Sequence, residues 1–194
     1  MNKALSFLLG LLVLSGCSDS NSQAEKIDLP NHNWRIQLPE GFEKVSSTEG
    51  AELQAKGIEA IEETHEQEFT NIASTLFMYR KDESNYMDAN TQPFDPAIDG
   101  DYISSCKAIN EIVYETFEQQ MHGLPMDSSA TTLTVDGVEF QQFTISIDLP
   151  GNNKMTTHIY SHLFDTTELS LNILYVDPEM GTAMIDAFKN SKFQ

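Results

Sequence analysis

TTLTVDGVEFQQFTISIDLPGNNKMTTHIYSHLFDTTELSLNILYV, residues 131–176, decides the fold. Phe143, Ile145, Ile147 and Leu149 alternate with Gln142, Thr144, Ser146 and Asp148, the period of two that a half-buried strand requires. The runs at 131–135, 155–164 and 169–176 continue as strands, and each junction is a short turn sequence. Asp136-Gly137 tolerates the positive φ of a tight hairpin, Pro150-Gly151-Asn152-Asn153 makes the second turn, and Asp165-Thr166-Thr167 makes the third. Turns this short join only antiparallel neighbours, so the stretch predicts a meander.

Helices flank it on both sides. Downstream, Asp177 is placed as an N-cap, Pro178 occupies the first helical position and Glu179 lies in the first turn. Met180, Ala183, Met184, Ala187 and Phe188 then form one apolar stripe. Upstream, 102–121 is a helix with Asp101 as its N-cap and Gly123 and Pro125 closing it. Tyr102, Cys106, Ile109, Val113, Phe117 and Met121 share its apolar face, so Cys106 is expected to be a small buried hydrophobe rather than a reactive thiol. Further upstream, NYMDANTQPFDPAIDGD (85–101) is broken by two prolines, a glycine and six Asp or Asn, and is expected to be a long irregular loop. Asp95, Asp99 and Asp101 within it serve turns and the next helix cap, and Tyr86 and Phe94 serve packing. A strand is expected at 74–79. Residues 47–65 read as a helix with Leu53, Gly57, Ala60, Ile61 and Thr64 on its inner stripe and Ser46 and Glu49 as a capping box. Two short strands, 33–38 and 42–46, begin the domain around a turn at Pro39-Glu40-Gly41.

The resulting class is α+β: a mostly antiparallel sheet flanked by helices. The order of elements, with WRIQLPEGFEKV (34–45), VDGVEFQQFTISI (135–147) and DPEMGTAMIDAFKNSKF (177–193), resembles the PsbP-like superfamily of α-β-α sandwiches, which includes bacterial DcrB-type lipoproteins. That resemblance implies an assembly or binding module, with no shared catalytic set to carry over. The acidic helix at 51–68 and the stretch 85–101 have no counterpart in it.

Residues 1–17 carry a second resemblance. Lys3 precedes an apolar run of about a dozen residues, within the signal-peptide range and short of the roughly 20 that span a bilayer. Leu14-Ser15-Gly16-Cys17 follows, resembling the lipobox of bacterial signal-peptidase II substrates. The resemblance implies that 1–16 are removed and that Cys17 bears lipid, palmitate included, as the new N-terminus. Ser18 lacks the Asp that retains enteric lipoproteins in the inner membrane, which favours the outer membrane and leaves the periplasmic or surface leaflet open. Residues 17–27 then form the lipidated Cys and a polar tether, whose nine residues 18–26 reach about 30 Å when extended, and 28–194 form one domain.

Charge restricts partners. The chain has 30 Asp and Glu against 11 Lys and Arg, a net charge of −19, and loss of Lys3 with the leader makes it one more negative. Such a field repels nucleic acid and anionic headgroups. With Cys17 lipidated, Cys106 has no disulfide partner. His158 and His162 lie four residues apart on a strand, about 13 Å, and cannot share a zinc whose Zn–N bonds are about 2 Å. Glu59, Glu62, Glu63 and Glu66 line one helix face at i, i+3, i+4, i+7, leaving open a solvated acidic face or a divalent-cation site. No nucleophile elbow, phosphate-cradling glycine loop or dinucleotide fingerprint occurs, and Ser104-Ser105 lie at a helix start without a neighbouring base. The expectation is a non-enzymatic envelope lipoprotein, without cofactor or resident metal, whose partner is an unidentified envelope protein. The alternative is binding of a small ligand or divalent cation.

Overall fold

Positive φ at Asp136 (49°) and Gly137 (86°) closes the first hairpin of the meander as a two-residue turn. Gly151, Asn152 and Asp165 supply the positive φ of the next two turns. The computed structural model describes residues 24–193. In it the four runs become β6 (Met126–Val135), β7 (Val138–Leu149), β8 (Asn153–Phe164) and β9 (Thr167–Tyr175). They are paired antiparallel in unbroken register.

Three more strands complete a seven-stranded sheet in the order β3-β4-β5-β9-β8-β7-β6. These are β3 (Glu43–Lys44), β4 (Ser74–Asp82) and β5 (Asn85–Pro93). A small second sheet has the order β1-β2-β10, formed by Lys26–Leu29, Trp34–Gln37 and Lys192–Phe193. Among the described residues four α-helices accompany them: α1 (Ser47–His65), the single turn α2 (Pro96–Asp99), α3 (Tyr102–Gln120) and α4 (Pro178–Lys189). The caps follow the sequence: Ser46 accepts from Glu49 N, Asp101 from Ser104 N, and Asp177 from Glu179 N and Met180 N. Each satisfies backbone donors that the helix itself leaves orphaned.

The two faces of the large sheet are covered separately. On one, Met87, Ala89, Phe140, Tyr160, Leu169, Leu171 and Ile173 pack against Trp34, Ile36 and Leu38 of the small sheet and Met184 and Phe188 of α4. Trp34 is 1% exposed, stacks on Phe193 with centroids 5.6 Å apart, and donates from Nε1 to Ser191 Oγ at 3.0 Å. The chain end is thereby clamped to the start of the domain. On the other face, Phe143, Ile145 and Ile147 pack against Val113, Phe117 and Met121 of α3, and α1 lies alongside α3.

Several expectations need correction. The stretch 85–101 is not a loop: 85–93 is β5, paired in eight consecutive positions with β9. Its polar residues hid it, because they are buried and bonded within the fold rather than solvated. Only 94–101 keeps the expected turn-and-cap role, with Asp95 capping α2 through Ala97 N and Phe94 packed edge-on against Tyr102 at 5.3 Å. The strand expected at 42–46 shrinks to two residues. β1 begins at Lys26, and Glu25 O accepts from Leu38 N at 2.7 Å. Leu53 is 42% and Ile109 49% exposed, so neither lies on an inner stripe, and Gly57 is exposed too. In α1 the inward positions include Gly50 and Gln54, for a reason that lies in the sheet beneath.

Candidate functional site

That sheet surface, facing α1 and α3, carries a row of buried polar side chains. Side chains alternate along a strand, so Asp88 and Asn90 of β5 point away from the apolar core that takes Met87 and Ala89. By the same alternation Glu168 and Asn172 of β9 oppose Leu169, Leu171 and Ile173. Asp88 is the centre of the row. Its Oδ2 accepts from Asn90 Nδ2 and from Asn172 Nδ2 at 2.9 Å. Gln54 of α1 reaches down to complete the group, donating to Asn90 Oδ1 at 3.1 Å and to Thr75 Oγ1. Burial raises the Asp88 pKa to about 6, against the opposing pull of the Asn172 and Asn90 donors. A carboxylate taken out of water disfavours its charge, and two neutral amides offset that only in part.

A second cluster sits at the start of α3. Glu168 Oε2 accepts from Gln92 Nε2 at 2.7 Å, and burial raises its pKa. Cys106 Sγ lies 3.8 Å from Ser161 Oγ. Burial pushes the thiol up as well, so Cys106 stays protonated and weakly nucleophilic; it is half-buried, where the sequence predicts a buried residue. The Tyr102 hydroxyl is enclosed beside Glu168, Cys106 and Ser161 and forms no hydrogen bond within 3.5 Å among the described residues. Burial is the main reason its pKa is raised.

The other sheet face holds one polar insertion. His158 Nδ1 lies 2.8 Å from Thr144 Oγ1 and Nε2 lies 3.3 Å from Tyr175 Oη, with the ring stacked on both Tyr160 and Tyr175. Burial lowers its pKa, and Lys189 adds to the effect. His162 contacts Glu139 O through Nδ1 at 2.6 Å. The two imidazoles serve separate neighbours, each on strand β8.

The remaining sequence candidates are dispersed. Cys17 lies outside the described residues. Glu59, Glu63 and Glu66 are exposed on or beside α1. Glu62 is half-buried and accepts from Phe69 N at 2.8 Å, tying down the chain after the helix, while Glu66 ends the helix with φ 52°. Among the described residues no three His, Cys, Asp or Glu are placed to hold one metal ion. A shallow depression of about 610 Å³ lies between the ends of α1 and α3, lined by Thr64, Glu115, Glu118, Gln119, His122 and Leu124. The polar row itself is joined by hydrogen bonds along its length. It holds a protonatable acid and amides but no activated nucleophile, so its chemistry is hydrogen bonding between layers. The signal that could have revealed it is Glu168-Ser170-Asn172 alternating with Leu169-Leu171-Ile173, matched by Asp88-Asn90-Gln92. Alternation distinguishes the faces of a strand without saying which of them a helix covers.

No family model matches the chain, and a search of curated proteins finds no match. Solved structures do resemble it. Cyanobacterial PsbP (CyanoP) from Synechocystis superposes with a TM-score of 0.52 at 7% identity, covering 93% of this chain and 99% of its own. A Bacteroides thetaiotaomicron structure gives 0.49 at 7% identity over 89% and 49% of the two chains. The Ran-binding protein Mog1p of Saccharomyces cerevisiae gives 0.41 at 9% identity over 87% and 97%. At these identities the likeness is one of fold alone: the domain is α+β, an antiparallel sheet flanked by helices, and its fold is similar to that of the cyanobacterial PsbP structure.

Proposed function

We propose that this chain is a bacterial envelope lipoprotein, anchored through lipid on Cys17 with the outer membrane favoured, whose PsbP-like domain is a non-catalytic module that binds another envelope protein. The observation that carries the reading is Leu14-Ser15-Gly16-Cys17 directly behind a short apolar run and Lys3. One acyl chain binds a bilayer marginally and two or more bind it stably, so multiple acylation of Cys17 makes the anchor durable. The half-buried, protonated thiol of Cys106 and the hydrogen-bonded amides of the polar row support a binding rather than a catalytic role, because neither offers a substrate an activated nucleophile.

Crosslinking in intact envelopes, followed by purification through a C-terminal tag, tests both halves. The expected result is a defined crosslinked partner with the native chain and none with Cys17→Ala, which should also lose incorporation of labelled palmitate. Palmitate incorporation into Cys17→Ala would sink the anchor, and an identical protein background with and without the domain would sink the binding role.

A further inference from the structure

The two edges of the seven-stranded sheet are built differently. The β3 edge has two residues, Glu43 and Lys44, both charged, and its neighbouring strand pair β4–β5 is broken by two register shifts. Short length, charge and bulges are the devices that keep a sheet edge from recruiting another strand. The β6 edge has almost none of them. Its ten residues, MDSSATTLTV, pair with β7 without a break, contain no proline and no lysine, and carry one charge, Asp127. Residues 127–132 are all exposed, so neither face of the strand is covered there.

The register says which backbone groups are free. The two-residue turn makes Val135–Val138 a hydrogen-bonded pair, and Asp148 N donating to Pro125 O at 2.9 Å sets the same parity at the far end. The N–H and C=O groups of Ser128, Ala130, Thr132 and Thr134 therefore point away from β7. Among the described residues no strand pairs with them.

We propose that the β6 edge takes an extended, basic-flanked segment of a partner polypeptide as an eighth strand. This rests on the reading of the domain as a protein-binding module and names the surface and the partner chemistry. A row of alternating donors and acceptors is complemented along its length by another extended backbone. Charge then selects among strands. A chain of net −19 attracts cationic flanks and repels a second copy of itself, while the uncharged run from Ser128 to Val135 sets no charged side chain against the incoming strand.

The test uses the full domain and a synthetic peptide of alternating Thr and Val with two lysines at each end. The expected result is at least tenfold slower amide exchange confined to Ser128, Ala130, Thr132 and Thr134, with a glutamate-ended peptide giving less than a tenth of that protection. Ala130→Pro removes an N–H that β7 does not use, so the fold survives and protection is lost. Thr132→Lys, which keeps every backbone donor, should also weaken binding and guards against a folding artefact in the proline variant. Absence of protection by the lysine peptide overturns the proposal. So does protection of the same amides in concentrated protein alone, accompanied by dimers in sedimentation, which would make the occupant a second copy. In envelopes, a partner that crosslinks equally to native and Ala130→Pro chains overturns the edge but leaves the binding role standing, whereas no partner with either overturns both.

Discussion

The two faces of β5 and β9, the middle of the large sheet, solve the same problem with opposite chemistry. Towards α4, β5 and β9 present Met87, Ala89, Leu169, Leu171 and Ile173, closed over by Trp34, Met184 and Phe188. Towards α1 and α3 the same two strands present Asp88, Asn90, Gln92, Glu168 and Asn172, closed by Gln54 and Tyr102. The apolar face is held by burial, which is nondirectional and tolerant of small displacements. The polar face is held by hydrogen bonds whose partners must stay in place, because an orphaned buried donor or acceptor costs about 1–3 kcal/mol. One side therefore supplies stability, and the other fixes the register between helices and sheet.

The largest effect should come from the apolar side. Trp34→Ala removes the ring that Phe77, Phe188 and Phe193 surround, together with the bond to Ser191. A loss of about 3–5 kcal/mol is expected in chemical denaturation. A smaller loss comes from Gly181→Ala on α4, where a Cβ would stand 2.5 Å from the Tyr175 ring. Repacking of that ring should cost about 1–3 kcal/mol, seen as a lower Tm. A change under 0.5 kcal/mol would show that the α4 face is looser than its contacts imply.

The polar side should respond to pH through Asp88. Asp88 has its folded pKa raised from 3.8 to about 6, so the protonated form is the one the fold favours. The stability it contributes is complete below about pH 4 and is lost as pH rises through about 6. A shift of that size corresponds to about 3 kcal/mol. Asp88→Asn keeps an acceptor oxygen for Asn90 and Asn172 and removes the charge. The variant should match the native chain near pH 4 and exceed it by about 1–3 kcal/mol at pH 7.5, part of the gain being offset by an amide hydrogen without an acceptor. Asp101 and Asp136, whose pKa values are lowered by bonds to Ser104 and Lys192, titrate in the opposite sense in both proteins and cancel in the difference. Parallel native and variant curves across that window would mean that Asp88 stays ionised and solvated.

The same contrast explains what was legible in the sequence. Capping residues and turn dipeptides act locally, so α1, α3, α4 and the β6–β9 meander could be read from Ser46, Asp101, Asp177 and Asp136-Gly137. The apolar core was legible wherever it alternated, as in Ile145 and Ile147. β5 was not, because a central strand whose buried side chains include Asp88 and Asn90 has the composition of a loop. Its identity is settled by Asn172 and Gln54, one 84 residues downstream of Asp88 and one on another layer. No window of local sequence contains that pairing.

A pair of neighbouring substitutions on α1 brings this to its finest resolution. Hydropathy puts Leu53 inward and Gln54 outward, and the structure reverses them. Leu53 is 42% exposed, whereas Gln54 bridges Thr75 and Asn90 over the polar row. Leu53→Gln should therefore change stability by less than about 0.5 kcal/mol, as surface substitutions do. Gln54→Leu should cost about 1–2 kcal/mol, because it leaves Asn90 Oδ1, on a buried residue, without the donor that Gln54 supplies. The two variants exchange the same side-chain types one residue apart, so helix propensity and hydrophobicity nearly balance between them. Only the chemistry of the sheet face beneath α1 separates their outcomes. If Leu53→Gln were the more damaging of the two, α1 would be seated by its apolar stripe, and the polar face would be filling space without fixing position.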